Sequence, residues 1–178
     1  PRLFIAIDFP EAVRDRLAAL PVGVRGARLL PTEQYHLTLR FIGEVDEGTA
    51  EDIDAALGQI FAARVEVTLA GVDCFEKRGR AHTLWAGAEA TAPLLKLQAR
   101  VEAQVRRAGL PPEGRKFTPH VTLARMKRLP VEQIAPYLAD HGGFQAAPFE
   151  AGEFLLYRSH LGHAAANYET LARYPLNG

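Results

Sequence analysis

The chain is poor in several things at once. It has one cysteine, one methionine and one tryptophan in 178 residues, and no excess of charge of either sign, with 21 basic side chains set against 21 acidic ones. With Cys74 alone, no internal disulfide can close and no cysteine-based metal cluster can be assembled. A formal net charge of zero removes the broad positive field on which binding to a long nucleic-acid duplex depends, but leaves room for a short or local phosphate ligand. Long apolar runs are also missing. The opening "RLFIAID" is cut off by Asp8, too early for a membrane span or the hydrophobic core of a signal peptide. A soluble cytoplasmic monomer with no membrane partner is therefore expected. Hydrophobic residues at 48% and charged residues at 24% give an ordinary globular balance, which excludes disorder as a class.

What is present alternates between strand and helix signals. "RLFIAID" (2–8) is rich in β-formers, and "PEAVRDRLAAL" (10–20) carries Val13, Leu17 and Leu20 on one helical face. A Gly/Arg/Pro connector leads to Pro31, and "YHLTLRFIG" then alternates as a strand. Helices are predicted over 46–61, 91–109 and 130–142, and strands over 65–71, 82–87 and 119–125. The polar "EKRGR" (76–80) is read as the turn between the middle two strands, and two or three strands follow in the C-terminal stretch. No low-complexity linker divides residues 1–178. Each half holds a strand, a helix and one copy of a short motif, which points to a single domain with two related lobes facing each other.

The motif is H-x-T, in "HLTLRF" (36–41) and again in "PHVTLAR" (119–125). Side chains two apart in a strand share a face, so His36, Thr38 and Arg40 are expected on one side and Leu37, Leu39 and Phe41 on the other. His120 and Thr122 form the same pair in the second copy. One such match is what chance supplies to a chain with six histidines, and a lone strand histidine is usually just a half-buried side chain. Two matches, each continuing into leucine on a predicted strand, are not so explained. Two imidazoles facing a cleft suit acid–base work on a phosphate ester, because one ring can be neutral while the other is protonated near pH 7. The threonine hydroxyls can donate to phosphate oxygens. A metal reading fares worse, since two histidines without a carboxylate or a third ligand make a poor site. No metal and no cofactor are expected. His160 and His163, in "HLGH", are read as solvated loop residues, His141 as a helix-end residue, and His82 as a turn or strand-edge side chain.

These two motifs and their surroundings resemble the two-histidine (2H) phosphoesterases, and within them the RNA 2′,3′-cyclic phosphodiesterases also called 2′-5′ RNA ligases. The resemblance runs from "RLFIAIDFPEAVRDRL" through "HLTLRFIGEV" and "KFTPHVTLAR" to "YETLARYPL". It implies a bilobal α+β fold, with two antiparallel β-sheets facing a central cleft and helices packed outside. It also implies metal-independent opening of an RNA 2′,3′-cyclic phosphate to a 2′-phosphate. By the same resemblance His36 is the general acid beside the departing 3′ oxygen, and His120 is the base that activates water. Thr38 and Thr122 fall on the phosphate-binding threonines, and Arg125 on an arginine used near the phosphate. Strict alternation places Arg125 on the face opposite to His120, so it reaches the cleft only if the strand bulges or ends after Leu123. Otherwise it is a solvated arginine beside Lys127 and Arg128.

Three functions stay open at this level. The first is hydrolysis of RNA ends bearing a 2′,3′-cyclic phosphate, accompanied by 2′-5′ ligation when an RNA 5′-hydroxyl replaces water. The second is hydrolysis of a small cyclic phosphate such as a cyclic nucleotide or an ADP-ribose derivative. The third is a non-catalytic module that binds RNA ends, against which two proton-transfer groups argue. Tyr35 and Phe117 flank the motifs and are read as core rather than base-stacking residues, and "EKRGR" and "RMKR" are small basic clusters that could guide an RNA backbone.

Overall fold

The computed structural model describes residues 1–162 and 167–177. The elements run β1 (Arg2–Asp8), α1 (Glu11–Ala18), β2 (Ala27–Leu29), a 3₁₀ turn (Thr32–Gln34), β3 (His36–Glu44) and α2 (Glu47–Leu57). They continue as β4 (Val65–Val67), β5 (Leu69–Lys77), β6 (Arg80–Ala88), α3 (Ala92–Arg107), β7 (His120–Pro130) and α4 (Val131–His141). The chain closes with β8 (Phe149–Ala151), β9 (Glu153–His160) and β10 (Asn167–Pro175).

Two four-stranded antiparallel sheets result, ordered β10-β9-β1-β3 and β2-β7-β6-β5, and β4 with β8 makes a small two-stranded ribbon. The fold is the α+β class expected, and each sheet carries one H-x-T strand, β3 or β7. The sequence elements that make it are legible locally. In α3, Thr91 caps the N-terminus by accepting from the Leu94 amide, and Leu94, Leu97, Val101 and Val105 recur at helical spacing and are all buried. Arg106 and Arg107 fall in its last turn, where positive charge suits the helix dipole. Asp46 caps α2 through the Thr49 amide at 2.7 Å.

β1 shows how the core and the cleft divide. Leu3, Ile5 and Ile7 enter the main core with Leu37, Ile53, Leu97 and Val121, so one hydrophobic body backs both sheets. Phe4 and Ala6 point the other way, into a small second cluster with Leu155 and Tyr157, against which Tyr168 packs. That second cluster is the floor of the first sheet's cleft face.

Three local predictions need correction. The run 65–71 is not one strand: Val65–Val67 pairs with β8, and the chain then joins the second sheet at Leu69. The connector before Pro31 holds a short edge strand, β2, whose pairing with β7 its Gly/Arg/Pro composition does not advertise. The β5–β6 turn is tighter than "EKRGR" suggested. Only Arg78 and Gly79 lie outside the strands, at φ of 53° and 75°, the left-handed pair that a two-residue hairpin requires.

Candidate active site

Both motif strands break their alternation at the same place. In the β1–β3 ladder Ala6 pairs with Thr38 and Ile5 with Arg40, leaving Leu39 as an extra residue. In the β6–β7 ladder Trp85 pairs with Thr122 and Leu84 with Ala124, leaving Leu123 extra. A bulge of this kind reverses the facing of everything beyond it. The consequence for Arg40 overturns the expectation that it shares a face with His36. It is buried, turned to α3, and pairs with Glu102 at 2.6 Å while donating to the carbonyls of Phe41 and Pro111. The consequence for Arg125 is the reverse. Paired with Thr83 in the same ladder, it comes onto the face of Thr122 and His120, and its side chain is exposed. In the first motif the equivalent position is Phe41, half-exposed, stacked on Phe4 and covered by the Arg2 guanidinium 5.4 Å from its ring centre.

The two histidines are held alike. His36 Nδ1 lies 3.2 Å from the carbonyl oxygen of Gln34, and His120 Nδ1 lies 2.6 Å from that of Thr118. A carbonyl only accepts, so each ring carries its proton on Nδ1 in the neutral form, and Nε2 is the nitrogen left for chemistry. Each motif thus begins with the same device, a carbonyl two residues upstream that fixes tautomer and ring orientation.

Aromatic rings surround both imidazoles. His36 packs against Tyr157 and Tyr168, with ring centres 4.7 and 5.5 Å away, and edge-on to Phe4 at 6.1 Å. His120 meets Phe75 at 4.8 Å and Trp85 at 5.7 Å. Gly87 pairs with His120 on β6 and has no room for a side chain, because a Cβ there would come within 2.8 Å of the Ala70 carbonyl. None of these aromatics carries a motif signal. Phe4, Tyr157 and Tyr168 would have been found only by working out the ladder β10-β9-β1-β3, since they come from opposite ends of the chain.

Burial sets the electrostatics. It pushes His36 down to about 4, against the pull of the Asp8 carboxylate and with the Arg14 guanidinium adding to the drop. His120 is lowered too, first by burial and then by Arg125, while the Thr118 carbonyl favours its charged form. Arg125 also bears on Tyr168, which packs against His36, so its charge is felt from both sheets. Asp8 lies opposite His36 in the β1–β3 register, with Oδ1 3.7 Å from Nε2, and is held by Arg14, which also donates to the Thr32 carbonyl. A cavity of about 560 Å³ opens beside this group, lined by Asp8, Glu11, Arg14, Glu33, His36 and Tyr168 among others.

The other histidines stand apart. His82 is exposed on β6 with Nδ1 2.8 Å from the Thr83 hydroxyl, and His141 ends α4 against Tyr137. His160 is not in a loop: it ends β9 and pairs with Glu169 at 3.1 Å, while His163 lies outside the described residues. Tyr35 is core, as expected, and Phe117 packs against that core. Among the described residues no three His, Cys, Asp or Glu side chains gather to hold a metal ion, and no helix is long and apolar enough to cross a membrane.

The model of the 2′-5′ RNA ligase superfamily matches residues 9–163. The chain belongs to that family. Among relatives, the RNA 2′,3′-cyclic phosphodiesterase of Thermus thermophilus is 34% identical, over 99% of this chain and 91% of its own length. The enzyme of the same name from Aeropyrum pernix is 32% identical over 89% and 90%. Among solved structures, E. coli LigT complexed with NADP+ superposes with a TM-score of 0.80 at 26% identity, covering 99% of this chain and 98% of that one.

Proposed function

We propose that this protein opens the 2′,3′-cyclic phosphate at the end of an RNA strand, leaving a 2′-phosphate and a free 3′-hydroxyl. The observation that carries the reading is the matched pair of histidines, each with Nδ1 on a backbone carbonyl, which leaves Nε2 as the nitrogen for proton transfer. His120 Nε2 takes a proton from water as the water oxygen bonds to phosphorus. The bond from phosphorus to the 3′ oxygen breaks, and His36 Nε2–H supplies the proton that the departing oxygen needs. Thr38 and Thr122 donate to the non-bridging oxygens, and Arg125 adds positive charge where negative charge accumulates. With an RNA 5′-hydroxyl replacing water as the nucleophile, the same forward steps form a 2′-5′ linkage: the 5′ oxygen bonds to phosphorus, its proton goes to His120, and the 3′ oxygen leaves with a proton from His36. Every group in this scheme belongs to the chain, so no cofactor is called for. Two relatives bear the name RNA 2′,3′-cyclic phosphodiesterase, which agrees with this assignment.

The resting state of His36 needs explanation, because an acid lowered to about 4 is mostly unprotonated at neutral pH. An anionic phosphate beside Nε2 supplies the missing counter-charge and raises it, so substrate binding itself arms the acid. A second reading, a small nucleotide with a cyclic phosphate as substrate, is favoured by the related LigT having been crystallised with NADP+. The test is incubation of an oligoribonucleotide ending in 2′,3′-cyclic phosphate, with chelator present, followed by product identification. Formation of a 2′-phosphate end is expected. A 3′-phosphate, or no product until metal is restored, would overturn the mechanism.

A further inference from the structure

Arg28, on the edge strand β2, is the direct cross-strand partner of Arg125. Paired residues of an antiparallel ladder project from the same face, so both guanidinium groups lie on the cleft side of the second sheet. Both are exposed, and among the described residues neither has a carboxylate within ion-pair distance. Like charges directly opposite each other on a sheet oppose its formation, and an anion between them removes the penalty. The positive charge continues outward: Arg25 precedes β2, Lys127 and Arg128 lie farther along β7, and Arg78 tips the adjoining hairpin. The opposite side of the site has the other sign. The cavity beside His36 is lined by Asp8, Glu11, Asp15 and Glu33, and its guanidinium, Arg14, is already committed to Asp8.

We infer that Arg28, beside the Arg125 that faces the reacting phosphate, forms a second phosphate subsite, which holds the phosphodiester next to the cyclic end and leads the RNA strand out over the β2–β7 edge. Adjacent strands are about 4.8 Å apart, so Arg28 sits one strand beyond Arg125 and farther from His120, the place for a neighbouring phosphate rather than the reacting one. The acidic cavity repels a phosphodiester, which fixes the direction of exit. The neutral total charge does not oppose such a subsite, because the potential at a cleft is set by the groups beside it rather than by the sum over the chain. The substrate favoured is thus an oligonucleotide end, recognised through its backbone. The inference rests on the cyclic phosphodiesterase reading.

The experiment compares kcat/KM for a nucleoside 2′,3′-cyclic phosphate, which has no second phosphate, with that for a short oligoribonucleotide ending in the same group. In the wild-type protein the oligonucleotide should be preferred by about tenfold or more, with a preference that falls as salt rises. Arg28→Gln should reduce the ratio of the two values by about five- to tenfold, mainly through KM for the oligonucleotide, and should lower its salt slope by about one. Arg28→Lys should keep most of the preference. Equal kcat/KM for both substrates in the wild type, or a ratio untouched by Arg28→Gln, overturns the subsite and leaves the phosphodiesterase reading standing. No turnover of either substrate overturns both.

Discussion

Leu39 and Leu123 occupy the same place in two different strands: each follows a motif threonine and each is the unpaired residue of a bulge. The pair of bulges decides which side chains reach the cleft five residues after each histidine, bringing Phe41 there in one lobe and Arg125 in the other. For Arg125 this makes a strong expectation. Replacing it with Gln should lower kcat/KM on a cyclic phosphate by about 10²-fold, the scale of losing one stabilising donor, with Lys recovering part. Steady-state kinetics on the purified variants measures this, and a loss of less than twofold would return Arg125 to the solvent.

The pH dependence follows from the directions of the two histidine shifts. Both rings are lowered by burial, so the bell of kcat/KM, which reports the free protein, should centre below the usual histidine value of about 6.5. Bound phosphate favours the protonated form of His36, so the alkaline limb of kcat should lie at higher pH than that of kcat/KM. Because the groups are coupled, the apparent values belong to the pair. Superimposable limbs for kcat and kcat/KM would contradict the idea that substrate arms the acid.

Asp8 acts on His36 from 3.7 Å and favours its charged form. Asp8→Asn removes that support, so in the bound complex, where the phosphate has raised His36, the alkaline limb of kcat should move to lower pH and kcat at pH 8 should fall more than kcat at pH 6. The pH profile of the variant separates this role from simple misfolding, which would scale both limbs together.

Arg40 belongs to stability rather than chemistry. Its guanidinium is buried among Glu102, the Phe41 carbonyl and the Pro111 carbonyl, and Glu102 in turn accepts from the Glu113 amide at 3.0 Å. Arg40→Ala leaves a poorly solvated carboxylate and two carbonyls unpaired, which should cost about 3 kcal/mol or more in denaturant unfolding. A change under about 1 kcal/mol would mean that water reaches Glu102 freely.

The sequence carried the parts of this site that depend on local pattern. Two H-x-T strands and four helices follow from periodicity, helix-end signals and a repeated motif, because those signals sit within a few neighbouring residues, and the α+β class followed from the family resemblance that the motifs carry. What alternation could not carry was the bulges, since an extra residue leaves no mark on composition. Arg40 was therefore expected on the wrong face, and Arg125 was left undecided between cleft and solvent. The cage around His36 was also out of reach, because Phe4, Tyr157 and Tyr168 meet only through the pairing of β1, β9 and β10. Arg28 lay in a stretch whose composition reads as a connector, and its significance comes from a three-residue strand on a sheet edge.

The division of labour between His36 and His120 is the central claim, and a better leaving group tests it most directly. An activated aryl phosphodiester needs little help from an acid, whereas water still needs its base. The measurement is the rate of His36→Ala and His120→Ala, each relative to wild type, on an RNA cyclic phosphate and on the aryl ester. On RNA both variants should fall by about 10²-fold or more. On the aryl ester His36→Ala should recover most of its rate while His120→Ala stays impaired. Recovery of His120→Ala alone would reverse the assignment, and equal recovery of both would contradict a dedicated acid and base.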